Sequence, residues 1–148
     1  LLFAQDPELL ILDDFSMGLD PGYRRLFVEY LREYASAENK TVFLTSHIIQ
    51  DMELLIDDCM IMDYGRLLLH KPVKEIMHHF KRYRPGDTFK LEGDEDFWYP
   101  SALGDKWEVY SFLPKAEVEQ RLKAMGVTEI TEENLSLEDA FIGLTGKY

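Results

Sequence analysis

Two patterns alternate along the first part of the chain. Leu9, Leu10, Ile11 and Leu12 form an unbroken aliphatic run that ends in two adjacent carboxylates, Asp13 and Asp14. A short continuous apolar run of this kind predicts a strand buried on both faces of a parallel sheet. From Pro21 to about Ala37 the spacing becomes helical. Leu26, Tyr30, Leu31 and Tyr34 share one face, and Arg24, Arg25, Glu29, Arg32 and Glu33 fall largely on the other. Asp20 followed by Pro21 marks the start, an Asp N-cap with Pro at the first helical position. Glu38-Asn39-Lys40 reads as a polar turn, and Thr41 to Thr45 (TVFLT) as a second, β-branched and aromatic strand. Strand, helix and strand in this order predict a right-handed crossover with the two strands parallel. Asp13 and Asp14 then end one strand and Ser46 and His47 the next, at the sheet edge where open α/β folds bind ligands.

Further along, Ile48, Ile49, Met52, Leu55 and Ile56 predict a short helix. Cys59 to Met62 and Leu67 to Leu69 flank Asp63-Tyr64-Gly65-Arg66, a hairpin in which Gly65 takes the positive φ. Pro72 opens a helix through Val73, Ile76, Met77 and Phe80, with the basic Lys81-Arg82-Tyr83-Arg84 as its solvated end. The texture changes at Pro85-Gly86-Asp87. Thr88 to Leu91 and Trp107 to Leu113 predict strands around an acidic turn, Gly93-Asp94-Glu95-Asp96. Pro114 opens an amphipathic helix (Ala116, Val118, Leu122, Met125) closed by Gly126, and Val127 to Thr131 predicts a last strand. Ser136 caps a terminal helix, Leu137 to Leu144, with Glu138 and Asp139 in its first turn. Trp98, Tyr99, Trp107 and Tyr110 read as packing residues. The expected organisation is α/β over residues 1–85, followed by a small α+β domain over residues 86–148. LLFAQ reads as the tail of a helix, with no signal peptide before it. A start at Leu1 rather than Met predicts an internal or C-terminal piece of a longer protein.

Composition narrows the functions more than the fold. With 46% hydrophobic and 13% aromatic residues among 148, the chain can bury a core and is not compositionally disordered. A net charge of −12 argues against a nucleic-acid partner, which requires clustered Lys and Arg. No apolar run approaches the roughly 20 residues that span a bilayer, so a membrane role goes through another subunit. The lone Cys59 excludes an internal disulfide and fits a reducing compartment. Beside Met60, Ile61 and Met62 it reads as a small core residue. His70, His78 and His79 lack metal-ligand spacing and read as surface or packing residues.

Paired acids at a strand end suit chemistry on phosphates. One carboxylate can hold Mg²⁺ through water, and the other can orient or deprotonate an attacking water. Taken together, LLILDD resembles the Walker B strand of ABC-transporter ATP-binding subunits, and SMGLDP resembles the D-loop that follows it. TVFLTSH ends in what resembles the H-loop histidine, and DYGRLL resembles the family's D-x-G-x-L hairpin; order and spacings match over residues 8–70. NLSLEDAFIGLTG is similar to the ending of exporter-type subunits, where a small extra domain follows the core. The resemblance implies a partial P-loop NTPase core with parallel strands. It implies that Asp13 holds Mg²⁺ through water near the β- and γ-phosphates of ATP. Asp14 would stand where the family has the glutamate that polarises the attacking water. His47 would contact the γ-phosphate and link it to the catalytic carboxylate, with Ser46 beside it among the cofactor-binding residues. Gly18, Leu19 and Asp20 would cross a dimer interface and shape the opposite site. These roles suit phosphoryl transfer, where positioning and charge stabilisation dominate.

Three features depart from the family's pattern. Asp14 stands in place of glutamate and Phe15 in place of proline. The shorter side chain draws the base back by roughly 1.5 Å, and misplacement on that scale costs about 10²-fold in rate. The sequence holds no G-x-x-x-x-G-K-S/T P-loop, no Q-loop and no signature sequence, so it lacks the elements that cradle phosphates. Only Asp6-Pro7-Glu8 separates LLFAQ from the strand, where the family has several more helical residues.

Two functional readings follow. In the first, the parent is the ATP-binding subunit of an ABC transporter, held at the cytoplasmic face of the membrane by its permease. It binds MgATP between two head-to-tail subunits and hydrolyses it, and the present chain is inactive alone. In the second, residues 86–148 form a regulatory or dimerisation module that contacts the permease or the partner subunit. A receiver-like phosphoacceptor built on Asp13, Asp14 and Ser46 fails, because no third aspartate and no lysine end later parallel strands.

Overall fold

β1 (Leu9–Leu12) and β2 (Thr41–Leu44) pair in parallel, Leu9 opposite Thr41 and Leu12 opposite Leu44. They belong to a computed structural model that describes residues 3–15, 17–50, 52–86, 94–98 and 108–146. Contacts group the chain into two units, Leu1–Leu55 and Ile56–Tyr148.

In the first unit, α1 (Pro21–Ala37) connects the two strands. Its free N-terminal amides are met by Asp20, whose Oδ1 accepts from the N–H groups of Gly22 and Tyr23 at 3.1 Å each. Side chains alternate along a strand, so Leu10 and Leu12 are buried while Leu9 and Ile11 are 51% and 68% exposed. The two-faced burial expected of this run is corrected: the two-stranded sheet is covered on one face only. The helical face is corrected in the same sense. Leu31 is buried together with Val28, but Leu26 and Tyr30 are exposed.

Ahead of β1, Phe3–Gln5 forms a single 3-10 turn. The Phe3 ring packs on Tyr34 and Tyr30, with centroids 4.9 Å and 5.1 Å away. Asp6 turns the chain with φ +47. Its carboxylate lies 2.7 Å from Lys40 Nζ and accepts from the Tyr34 hydroxyl at 3.2 Å, which ties the short Asp6-Pro7-Glu8 link to the end of α1. Those two hydrogen bonds hold the Asp6 carboxyl below its ordinary value.

Among the described residues after His47, the expected helix does not form. The Ser46 hydroxyl accepts from the Ile48 N–H at 3.0 Å, and Met52 and Leu55 donate to Ile49 and Met52 in successive turns. Such a side-chain bond offers the backbone an alternative to helix. Among the apolar positions of this stretch only Met52 is fully buried.

The second unit opens with the antiparallel hairpin of β3 (Asp58–Asp63) and β4 (Arg66–Pro72). Tyr64 and Gly65 make its two-residue turn at φ +44 and +73, the mirror-image turn that matches strand twist. Cys59 is half-buried in β3, and burial pushes its thiol up. After α2 (Val73–His79) the chain becomes β5 (Lys81–Pro85), the centre of an antiparallel sheet between β6 (Val109–Ser111) and β7 (Ile130–Asn134). The basic stretch expected as a solvated helix end is therefore a central strand. Alternation again gives the reason. Tyr83 enters a core with Phe97, Val109, Val118, Leu122 and Val127, whereas Arg82 meets Glu133 at 2.6 Å and Arg84 meets Glu108 at 2.9 Å.

β6 is shorter than the expected Trp107–Leu113 strand, and β7 begins at Ile130 rather than Val127. α3 (Lys115–Ala124) follows Pro114 and gives way to Gly126 at φ +91. Val118 and Leu122 are buried, but Ala116 and Met125 are exposed. α4 (Leu137–Thr145) starts with a reciprocal Ser136–Asp139 capping box, as its sequence signalled. Trp98 packs edge-on against Phe80 and Phe112, and Tyr110 is buried. The strand expected at Thr88–Leu91 lies outside the described residues, as do Leu1, Leu2, Ser16, Gly93, Tyr99 and Trp107. The domain boundary expected between residues 85 and 86 falls inside the second unit, at the end of β5.

Candidate functional site

β1 runs directly into Asp13 and Asp14, and β2 into Thr45, Ser46 and His47. Because the strands are parallel and Leu12 stands opposite Leu44, these two extensions lie side by side. The ladder continues one step past both strands: Thr45 N–H donates to Leu12 O at 2.9 Å, and Asp14 N–H to Thr45 O at 3.1 Å. Beyond it, His47 Nδ1 and Asp14 Oδ1 are 2.9 Å apart. The Thr45 hydroxyl donates to Asp13 Oδ1 at 2.5 Å and accepts from Asp14 N–H at 2.9 Å.

Asp14 holds this place in a left-handed conformation, φ +44. Few residues besides glycine adopt that region, aspartate more readily than most. Met17 N–H donates to Asp14 O at 3.0 Å and closes the turn, and the Phe15 ring lies 5.2 Å from that of Phe27. The side chains of Asp14 and His47 are 31% and 65% exposed, so both are open to a ligand.

The residues expected at the site divide into two groups. Asp13, Asp14 and His47 come together. Gly18, at φ +84, and Leu19 lie on the exposed loop toward α1, and Asp20 uses its carboxylate as the helix cap. Ser46 turns its hydroxyl to its own loop rather than to the acids. Thr45 escaped the sequence reading, where it looked like an ordinary β-branched strand residue. The signal was a hydroxyl at the end of one strand beside an acid pair at the end of its parallel neighbour.

Chemically, the arrangement offers a carboxylate paired with an imidazole, able to orient water and pass a proton, next to a second carboxylate. Among the described residues no group of three or more His, Cys, Asp or Glu could hold a metal ion alone. Asp13 is an exposed hard-oxygen donor already bonded to a hydroxyl. That donor set fits Mg²⁺ bound through water and shared with phosphates, not a closed protein cage.

Known proteins resemble the chain over nearly its whole length. The family described as "AAA domain, putative AbiEii toxin, Type IV TA system" matches residues 1–50. The Nod factor export ATP-binding protein I of Ralstonia nicotianae is 36% identical over 158 residues, covering 96% of this chain and 48% of that protein. The protein of the same name from Rhizobium leguminosarum bv. viciae is 33% identical over 152 residues, covering 96% and 47%. The energy-coupling factor transporter ATP-binding protein EcfA2 of Lactobacillus johnsonii is 37% identical over 75 residues, covering 51% and 26%. The chain spans about half the length of the curated relatives it matches over 96% of itself. Over 96% of its length the chain is thus similar to ATP-binding proteins of the Nod factor export type.

Proposed function

We propose that the protein containing this chain binds and hydrolyses MgATP to drive transport through a membrane permease. The observation that carries the reading is the 2.9 Å contact between His47 and Asp14 at the ends of parallel strands. The names of the relatives support it. In this reading Asp13 holds Mg²⁺ through water, and the bound ion offsets the charge of the β- and γ-phosphates. Asp14 orients and deprotonates the attacking water. His47 holds Asp14 and contacts the γ-phosphate, while Ser46 lines the nucleotide side. Gly18, Leu19 and Asp20 approach a second ATP-binding subunit. The ATPase core runs through the hairpin to about residue 85, and β5 joins it to an accessory part over 86–148. No helix among the described residues is long and apolar enough to cross a membrane. The location proposed from the resemblance is the cytoplasmic face of the membrane, reached through the permease. Without a P-loop in its sequence, this chain is inactive by itself.

The test uses the full-length parent. Asp14→Asn and His47→Ala are each expected to lower turnover by about 10²- to 10⁴-fold while ATP binding persists. Wild-type turnover in both variants would refute the assignment.

The buried core of Phe97, Val109, Val118, Leu122 and Val127 around Tyr83 supports a second reading, in which residues 86–148 form a regulatory or dimerisation module. Truncation before Lys81 removes its three-stranded sheet whole. Changed coupling or dimerisation with ATP binding intact would support that role, and unchanged behaviour would exclude it.

A further inference from the structure

We propose that Thr45 is a positioning residue for hydrolysis, one hydroxyl that sets the side chain of Asp13 and the backbone of Asp14 at once. The inference rests on the MgATP-hydrolysing reading of the parent. A hydroxyl has one proton to give and two lone pairs to receive. Here the proton goes to Asp13 Oδ1 at 2.5 Å, and a lone pair takes the Asp14 N–H at 2.9 Å.

Thr45 is itself anchored. Its N–H donates to Leu12 O at 2.9 Å, and its carbonyl shares the Asp14 N–H at 3.1 Å. With two bonds on one amide, Asp14 is held in the left-handed turn from which its carboxylate reaches His47 at 2.9 Å. With Oδ1 accepting from the hydroxyl, Asp13 would have Oδ2 left to hold Mg²⁺ through water. The branched Thr side chain is stiff about χ1, so the hydroxyl is in place before a ligand arrives. The adjacent Ser46 cannot substitute, because its hydroxyl bonds the backbone of Ile48.

The experiment compares Thr45→Val, which keeps the shape and removes the hydroxyl, with Thr45→Ser, which keeps the hydroxyl. Both are made in the full-length parent beside Asp14→Asn. Thr45→Val is expected to lower kcat by about 10- to 100-fold with KM for ATP nearly unchanged. Mn²⁺ affinity, read by electron paramagnetic resonance with a non-hydrolysable ATP analogue, is expected to fall about tenfold. Thr45→Ser is expected to restore most of both. Wild-type kcat and Mn²⁺ affinity in Thr45→Val overturn the inference, as does a Thr45→Ser variant as impaired as Thr45→Val. If Asp14→Asn abolishes turnover while Thr45→Val keeps wild-type kcat, Thr45 alone is misassigned. Full turnover in Asp14→Asn sinks the hydrolytic reading, and this inference with it.

Discussion

His47 Nδ1 lies 2.9 Å from Asp14 Oδ1 although an aspartate is the shorter of the two acids. The backbone makes up the reach. A methylene adds roughly 1.5 Å, and Asp14 recovers the contact by turning left-handed at φ +44, with its amide held by both oxygens of Thr45. The turn at Asp14 is then expected to depend on the residue that follows it, Phe15.

Phe15→Pro tests that coupling. Proline pushes the residue before it toward extended backbone, with φ near about −120°, which is incompatible with the turn at Asp14. In the full-length parent the substitution is expected to lower kcat by about 10²-fold and leave ATP binding intact. Combined with Asp14→Glu it is expected to be neutral or favourable, because the longer acid reaches from an extended backbone. Phe15→Leu controls for the lost contact with Phe27. Steady-state kinetics give the answer, and equal losses with either acid would rule out a backbone cause.

What was legible in the sequence was local. The acid pair, the Asp20-Pro21 helix start, the Gly65 turn and the Ser136 cap each depend on neighbours within a few residues, and each stands where the pattern put it. Thr45 was missed because its partners are 31 and 32 positions away and meet it only through strand register. Arg82 and Arg84 were read as a solvated helix end for the same reason, since Glu133 lies 51 and 49 positions further on. The Ile48–Ile56 spacing was helical, but one hydroxyl at Ser46 diverted the backbone.

Gly143 shows how packing reverses a propensity. In a helix interior Gly→Ala ordinarily stabilises by about 1 kcal/mol. Here a Cβ would stand 2.4 Å from Cδ1 of the buried Tyr110 ring. Gly143→Ala is expected to destabilise by about 1–3 kcal/mol. Urea denaturation followed by circular dichroism measures it, and a gain in stability would mean that the two do not pack this closely.

Two arginines should differ sharply in their contribution. Arg25 pairs with Glu29 at 3.3 Å with side chains 79% and 60% exposed, so Arg25→Ala is expected to cost at most about 0.5 kcal/mol. Arg82, only 18% exposed, faces Glu133 at 2.6 Å, Asp139 at 3.7 Å and Glu108 at 3.8 Å. Removing it leaves Glu133 and Glu108 to share Arg84 and takes the nearby cation from Asp139. Arg82→Met is expected to cost about 2 kcal/mol, between the values for exposed and fully buried pairs. The same denaturation assay compares the two, and similar small losses would show that solvent screens the Arg82 cluster.

The core of the second unit is expected to lose stability in strong alkali. Tyr83 and Tyr110 are each 1% exposed. Burial pushes both phenols up to about 12, helped at Tyr83 by Glu132 and Glu119. At Tyr110 the hydrogen bond from Arg82 pulls the other way, and the charge of Glu108 raises it. A phenol whose folded value exceeds its unfolded value of about 10 binds its proton more tightly in the folded state. Its contribution is complete below pH of about 10 and is lost as pH climbs toward the folded value. Urea midpoints should therefore hold up to that point and then fall, and phenolate absorbance should show late-titrating tyrosines. Tyr83→Phe and Tyr110→Phe should each remove one late phenol and flatten the alkaline decline. If all the tyrosines ionised together near the free value while the urea midpoint stayed constant, burial would not be what governs them.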